Sequence, residues 1–92
     1  MVTLKLVKFG EMLISRPAGR EAYLSAKAYL LKNLGKDVGI DFEGVKVLTP
    51  SWIDEFITLF KKDYPDIKIK FTNIDNPSVT ASLIFMSPEL IS

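Results

Sequence analysis

The stretch Gly39-Ile40-Asp41-Phe42-Glu43-Gly44-Val45-Lys46-Val47-Leu48-Thr49-Pro50-Ser51-Trp52-Ile53-Asp54-Glu55-Phe56 decides how this chain is read. It opens on a short, mostly apolar run of the kind that fills the centre of a parallel sheet. Glu43-Gly44 then turns the chain, Val45 to Leu48 continues extended, and a helix starts abruptly. Pro50 suits the first helical position, where its missing N–H costs nothing, and Thr49 before it suits the N-cap. From Pro50 to Asp63 the residues Trp52, Ile53, Phe56, Ile57, Leu59 and Phe60 make a wide apolar stripe. Asp54 and Glu55 lie near the start and Lys61 and Lys62 near the end, the order that the helix dipole favours.

Upstream, Thr3 to Lys8 alternates as a strand with one wet face, Gly10-Glu11 suits a hairpin turn, and Met12-Leu13-Ile14 is the expected return strand. Ser15-Arg16-Pro17 breaks that pattern. Between Gly19 and Leu34 the period becomes helical, with Tyr23, Ala26, Leu30 and Leu34 on one face and Gly35 placed to end the helix in a left-handed cap. Downstream, Tyr64-Pro65-Asp66 stops the second helix, and Ile67 to Phe71 alternates as a strand. Residues 78–86 fit either period; the Asn76-Pro77 start favours helix. The order is β-β-α-β-α-β-α, an α/β fold with a mixed, largely parallel sheet of about four to five strands. Residues 1–92 read as one domain, with no repeat, linker or low-complexity segment.

Composition narrows the chemistry. The 92 residues contain no cysteine and no histidine, which removes disulfides, thiolate nucleophiles, most zinc sites and imidazole acid–base catalysis. Twelve basic and eleven acidic residues leave a net charge of +1, and Asp63 and Asp66 are interleaved with Lys61, Lys62, Lys68 and Lys70. Nucleic-acid binding is not expected from so balanced a surface. The first residues lack the apolar core of a signal peptide, and no apolar run approaches the ~18 residues of a membrane span. A cytoplasmic protein with no membrane association and no cofactor is the expectation.

The element order and the Asp41–Phe56 stretch resemble the STAS domain family, whose founding members are bacterial anti-sigma-factor antagonists. Asp41-Phe42-Glu43-Gly44-Val45 resembles that family's Asp-Leu-Ser-Gly-Val turn. Thr49-Pro50-Ser51-Trp52-Ile53 falls where those proteins carry Asp-Ser-Ser-Gly-Leu. The chain is more similar still to the STAS-like group of unknown function (DUF4325). It shares that group's Ile14-Ser15-Arg16, the Asp41–Val45 turn, Ser51 followed by Asp54-Glu55, and Asn73, over about Gly10 to Met86. The resemblance implies a non-enzymatic protein–protein interaction module acting in signal transduction. Its implied partner is a histidine-kinase-like ATPase or an anti-sigma factor. It also implies a phosphoacceptor at Ser51, although Thr49, Pro50 and Trp52 stand where the antagonists have Asp, Ser and Gly.

Each residue singled out has a plainer reading. Ser51 could satisfy an orphan amide in the first turn instead of taking a phosphate, whose charge would meet the dipole's positive end. Thr49, Pro50, Trp52, Asp54 and Glu55 form the expected docking surface, with Trp52 an anchor if exposed and core if not. Asp54 and Glu55 point ~100° apart on a helix, so they are not expected to converge on a substrate. Asp41 and Gly44 are assigned to the turn. Arg16 and Asn73 are candidate anion or partner contacts; the plainer readings are a surface arginine and a loop asparagine bonding its own backbone. An alternative function is a small-ligand module that holds a nucleotide or anion between the Pro50–Ser51 helix start and the Asn73 loop.

Overall fold

A computed structural model describes residues 2–29 and 34–86. The elements are β1 (Val2–Lys5), a 3-10 turn (Leu6–Phe9), β2 (Met12–Leu13), α1 (Arg16–Tyr29), β3 (Asp37–Asp41), β4 (Val47–Leu48), α2 (Pro50–Asp63), β5 (Lys68–Thr72) and α3 (Pro77–Met86). Strands β1, β3 and β5 form one parallel sheet in that spatial order, and β2 and β4 form a second parallel pair. The expected α/β class is seen, with five strands and three helices among the described residues.

The register aligns Val2 and Leu4 with Val38 and Ile40, and these with Ile69 and Phe71. Those six residues line one face of the sheet, because successive side chains alternate across a strand. The chain steps the same way from β1 to β3 and from β3 to β5. Right-handed crossovers therefore place α1 and α2 together on that apolar face. The two helices pack on each other. Tyr23 from α1 and Trp52, Phe56 and Phe60 from α2 are fully buried there, with Trp52 stacked on Phe56 at 5.3 Å and Tyr23 edge-on to it at 5.7 Å. The opposite face carries Thr3, Lys5, Lys68, Lys70 and Thr72, all exposed.

The expected hairpin does not form. Leu6 to Phe9 wind into a 3-10 turn that buries Leu6 and ends at Gly10, whose φ of 125° few other residues would adopt. β1 pairs with β3, and β2 with β4, both in parallel. Local alternation in β1 records that one face is buried but not which strand lies beside it. Pairing with β3 seats Leu4 beside Ile40 in the core, which the two-residue β2 cannot offer.

Helix α1 also starts earlier than its periodicity suggests. Ser15 is its N-cap: its hydroxyl oxygen accepts a bond from the Ala18 amide at 3.2 Å, and Gly19 N–H closes the first turn on the Ser15 carbonyl. Pro17 fits inside that turn for the same reason Pro50 fits at the start of α2. Gly35 does not have the positive φ of a left-handed cap, and Leu30 lies outside the described residues. Residues 77–86 are helical, as the Asn76-Pro77 start predicts: Asn76 Oδ1 accepts a bond from the Ser78 amide at 2.8 Å.

Candidate functional site

The start of α2 is fixed from three sides. Thr49 is its N-cap, with Oγ1 accepting a bond from the Trp52 amide at 3.3 Å and Pro50 following at the first helical position. The same hydroxyl donates to the Ile14 carbonyl, and the Thr49 amide donates to the Leu13 carbonyl at 3.0 Å. One threonine therefore ties the start of α2 to the segment that enters α1. The first turns of the two helices nearly touch. A β-carbon on Gly19 would lie 2.4 Å from the Trp52 carbonyl oxygen, so only glycine allows this approach.

With Thr49 as the cap, Ser51 is left free. Its side chain is exposed, and its hydroxyl makes no hydrogen bond to a described residue. The capping role that Ser51 could have filled is taken. Trp52, in contrast, is 1% exposed and belongs to the core, so the tryptophan does not contribute to a docking surface. Its position on the inward stripe, one helical step from Ile53 and four from Phe56, buries it.

Asp54 and Glu55 follow Ser51 by three and four residues and share its face of the helix. Their carboxylates do converge: Arg16 Nη1 donates to Asp54 Oδ2 at 2.9 Å and to Glu55 Oε1 at 3.2 Å. The flexible side chains close the angle that the helix opens between the two backbone positions. Arg20 adds a longer contact to Glu55 at 3.9 Å. Hydrogen bonds to Asp54 and then to Glu55 raise the Arg16 guanidinium above its ordinary value. Arg16 thus finds its carboxylates within the chain. The result is a polar, partly exposed patch of two arginines and two carboxylates beside a free hydroxyl, at the paired starts of α1 and α2. Such exposed ion pairs are held weakly against water and salt, so a partner can rearrange them at little cost.

The other end of α2 is tied to the same helix by different chemistry. Tyr23 Oη donates to Asp63 Oδ2 at 2.6 Å, and Lys27 Nζ donates to the same oxygen at 2.9 Å. The tyrosine bond first, and the lysine second, hold the Asp63 carboxyl below the usual carboxylate range. Burial, and then Asp63, push the Tyr23 hydroxyl far up.

The turn after β3 forms a second locus. Asp41 is buried, and its Oδ1 accepts bonds from Asn73 Nδ2 at 2.8 Å and from the Glu43 amide at 2.9 Å. Asn73 first, and the Glu43 amide second, depress the Asp41 carboxyl. Asn73 does more than serve its own loop: it takes a left-handed backbone with φ of 55° and bridges the ends of β5 and β3. Gly44 has φ of 85° beside Val7. A shallow groove of about 370 Å³ runs between Phe42, Glu43, Gly44 and Val45 on one side and Asn73, Asp75 and Asn76 on the other. Its charged lining residues, Glu43 and Asp75, are both acidic, and Ser51 does not line it. The structure therefore does not join the Ser51 helix start and the Asn73 loop into one anion pocket.

Among the described residues, no group of three or more acidic, histidine or cysteine side chains could hold a metal ion, and no helix is long and apolar enough to cross a membrane. Sequence reasoning missed the Gly19 contact, the Arg16 and Arg20 contacts to α2, and the Tyr23–Asp63 bond. All join residues more than thirty positions apart, and only the small residue at Gly19 inside a helical pattern hinted at one of them. Residues 24–79, more than half of the chain, match the family described as a STAS-like domain of unknown function (DUF4325). No curated protein and no solved structure matches the chain.

Proposed function

The chain belongs to the STAS-like DUF4325 family, and from that premise we propose that it is a non-catalytic regulatory module that docks a protein partner at the start of α2. The observation that carries this reading is the division of labour at that start. Thr49 caps the helix and Trp52 anchors it in the core, while Ser51 between them is exposed and structurally unused. The docking surface comprises Thr49, Pro50, Ser51, Asp54 and Glu55, with Arg16 and Arg20 from α1 beside them. A histidine-kinase-like ATPase or an anti-sigma factor in the cytoplasm is the partner class, on the STAS resemblance. Phosphorylation of Ser51 would add about −1.5 to −2 charges on the face that already holds Asp54 and Glu55. That charge would compete for Arg16 and repel an acidic partner without disturbing the cap.

The test is to capture partners from the native host and to measure their affinity for the wild-type chain, Ser51→Ala and Ser51→Asp. Binding that survives Ser51→Ala and weakens at least about tenfold in Ser51→Asp supports the switch. Equal affinity of all three removes the switch and leaves the docking module. Binding that also tolerates Glu55→Lys and Arg16→Glu removes the module from this surface. The small-ligand alternative finds less support: the acidic lining of the groove beside Asn73 opposes a nucleotide or phosphate.

A further inference from the structure

We propose that the outer edge of β5 accepts an added strand, supplied by an extended segment of a partner protein in which acidic and apolar residues alternate. The sheet order β1-β3-β5 leaves β5 with one neighbouring strand among the described residues. Lys68 N–H donates to the Lys36 carbonyl at 3.0 Å, and the Thr72 carbonyl accepts from the Phe42 amide at 3.1 Å. Lys68, Lys70 and Thr72 therefore turn their backbone groups toward β3. Successive residues of a strand bond to opposite sides, so Ile69 and Phe71 turn theirs outward. No described residue bonds them there. The strand contains no proline and pairs with β3 in unbroken register, so its outer edge is a regular template.

The two edges of the sheet differ. Leu4, on edge β1, is 2% exposed, so the core beside it is already closed. On β5 the residues of the core face, Ile69 and Phe71, are only half-buried, as is Ile67 just before the strand. Apolar side chains on a further strand would lie beside them and complete their cover. On the other face Lys68 and Lys70 are both exposed. The register sets Asp37 beside Lys68, and Lys70 Nζ reaches Asp37 Oδ2 at 3.5 Å. From the side of β3, then, an acid already answers these lysines. Lys68 makes no ion pair with a described residue.

Backbone, charge and apolar flank together define the occupant. Opposite lysines two residues apart, glutamate or aspartate two residues apart makes opposite-charge cross-strand pairs. The apolar residues between them meet Ile69 and Phe71. A second copy does not fit. Two-fold pairing of β5 edges centred on Ile69 sets Lys68 against Lys70, and pairing centred on Lys70 sets that lysine against itself. Like charges directly opposite are destabilising. An anionic lipid surface or a nucleic-acid backbone would engage the lysines but leave the outward backbone groups and the apolar flank unused. An acidic, alternating strand uses all three, with backbone bonds giving affinity and alternate side chains giving specificity. A segment this short must also be ordered on binding, so the affinity is modest. This site is separate from the docking surface around Ser51 and does not rest on that reading.

The test is fluorescence anisotropy of the labelled peptide Ser-Gly-Glu-Val-Glu-Ile-Glu-Gly-Ser, titrated with the full chain. The expected Kd is on the order of 10–100 µM. The double variant Lys68→Glu, Lys70→Glu is expected to bind it at least about tenfold more weakly and to bind the counterpart peptide with lysine in place of glutamate. That exchange of preference also shows that the variant is folded. Two further peptides, N-methylated either on the glutamates or on the apolar residues, separate strand addition from charge attraction. Only one set of amides faces β5 in an added strand, so one peptide keeps its affinity and the other loses at least about tenfold. Equal affinities of these two peptides overturn the proposal. A double variant that binds the acidic peptide as the wild type does overturns it too. So does a full chain that leaves the acidic peptide unbound up to about 1 mM, whether residues 87–92 of the chain itself close the edge or nothing does.

Discussion

Replacing Gly19 with alanine sets two physical effects against each other. Gly19 lies inside α1, and in an exposed helix interior glycine to alanine stabilises by roughly 1 kcal/mol. Here the added methyl would fall 2.4 Å from the carbonyl oxygen of Trp52, with the carbonyl carbon and α-carbon of the same residue at 3.2 Å. These are backbone atoms in the first turn of α2. Relief requires the two helices to part by about 1 Å, and because the obstructing atoms are backbone the cost falls in the upper part of the usual overpacking range, about 2–3 kcal/mol. The separation would also strain the Thr49 bonds and loosen Tyr23 and Trp52 against Phe56. After the propensity gain is subtracted, the expected net loss is about 1–2 kcal/mol. That corresponds to a fall in Tm of roughly 4–16 °C for a domain of this size. The assay is urea unfolding followed by tryptophan fluorescence, since Trp52 reports on this contact. Gly35→Ala is the control. No described residue lies within 4 Å of its added methyl and its φ is not positive, so a change between zero and about 1 kcal/mol of stabilisation is expected. A Gly19→Ala variant as stable as the wild type, or more so, would refute the close approach of the helix starts.

Thr49→Ala removes the cap and the bond to Ile14 and is expected to cost about 1–2 kcal/mol in urea unfolding, whereas Ser51→Ala changes stability by less than about 0.5 kcal/mol. Equal effects would mean that the cap is misassigned. Asp63 and Asp41 both have folded-state pKa values below their unfolded ones, so each contributes stability above about pH 4 that is lost as pH falls through the folded value. Asp63→Asn is accordingly expected to flatten stability against pH between about 5 and 2, and an unchanged slope would deny the Tyr23–Asp63–Lys27 cluster its role. Asn73→Ala leaves Asp41 without its side-chain partner and puts alanine into a left-handed backbone, for an expected loss of about 1–3 kcal/mol. Asn73→Gly, which accepts that backbone, should lose less, and the reverse order would be contrary to this reading.

What could be read from the sequence was local. Thr49-Pro50 and Asn76-Pro77 announce helix starts because capping and proline chemistry involve only the next two or three residues. The stripe from Trp52 to Phe60 announces a buried face because its period is set by the helix itself. The hairpin was misread for the complementary reason. Strand alternation and a Gly-x turn are equally compatible with a partner a few residues away or thirty-six, and the energy that chose β3 for β1 came from the core. The candidate site divides the same way. Ser51, Asp54 and Glu55 share a face by spacing alone, but the arginine that joins the two carboxylates comes from α1. Trp52 was open between core and contact, and burial settled it as core. Asn73 was read as serving its own loop because its partner, Asp41, lies at the end of another strand.

The central claim is that the paired starts of α1 and α2, and not the acidic groove beside Asn73, form the surface that a partner covers. Amide hydrogen exchange of the chain, alone and in complex with a partner captured from the native host, tests it most directly. Slowed exchange confined to residues 15–20 and 50–55 is the expected result. Slowed exchange at residues 42–45 and 73–76, with the helix starts unchanged, would contradict it.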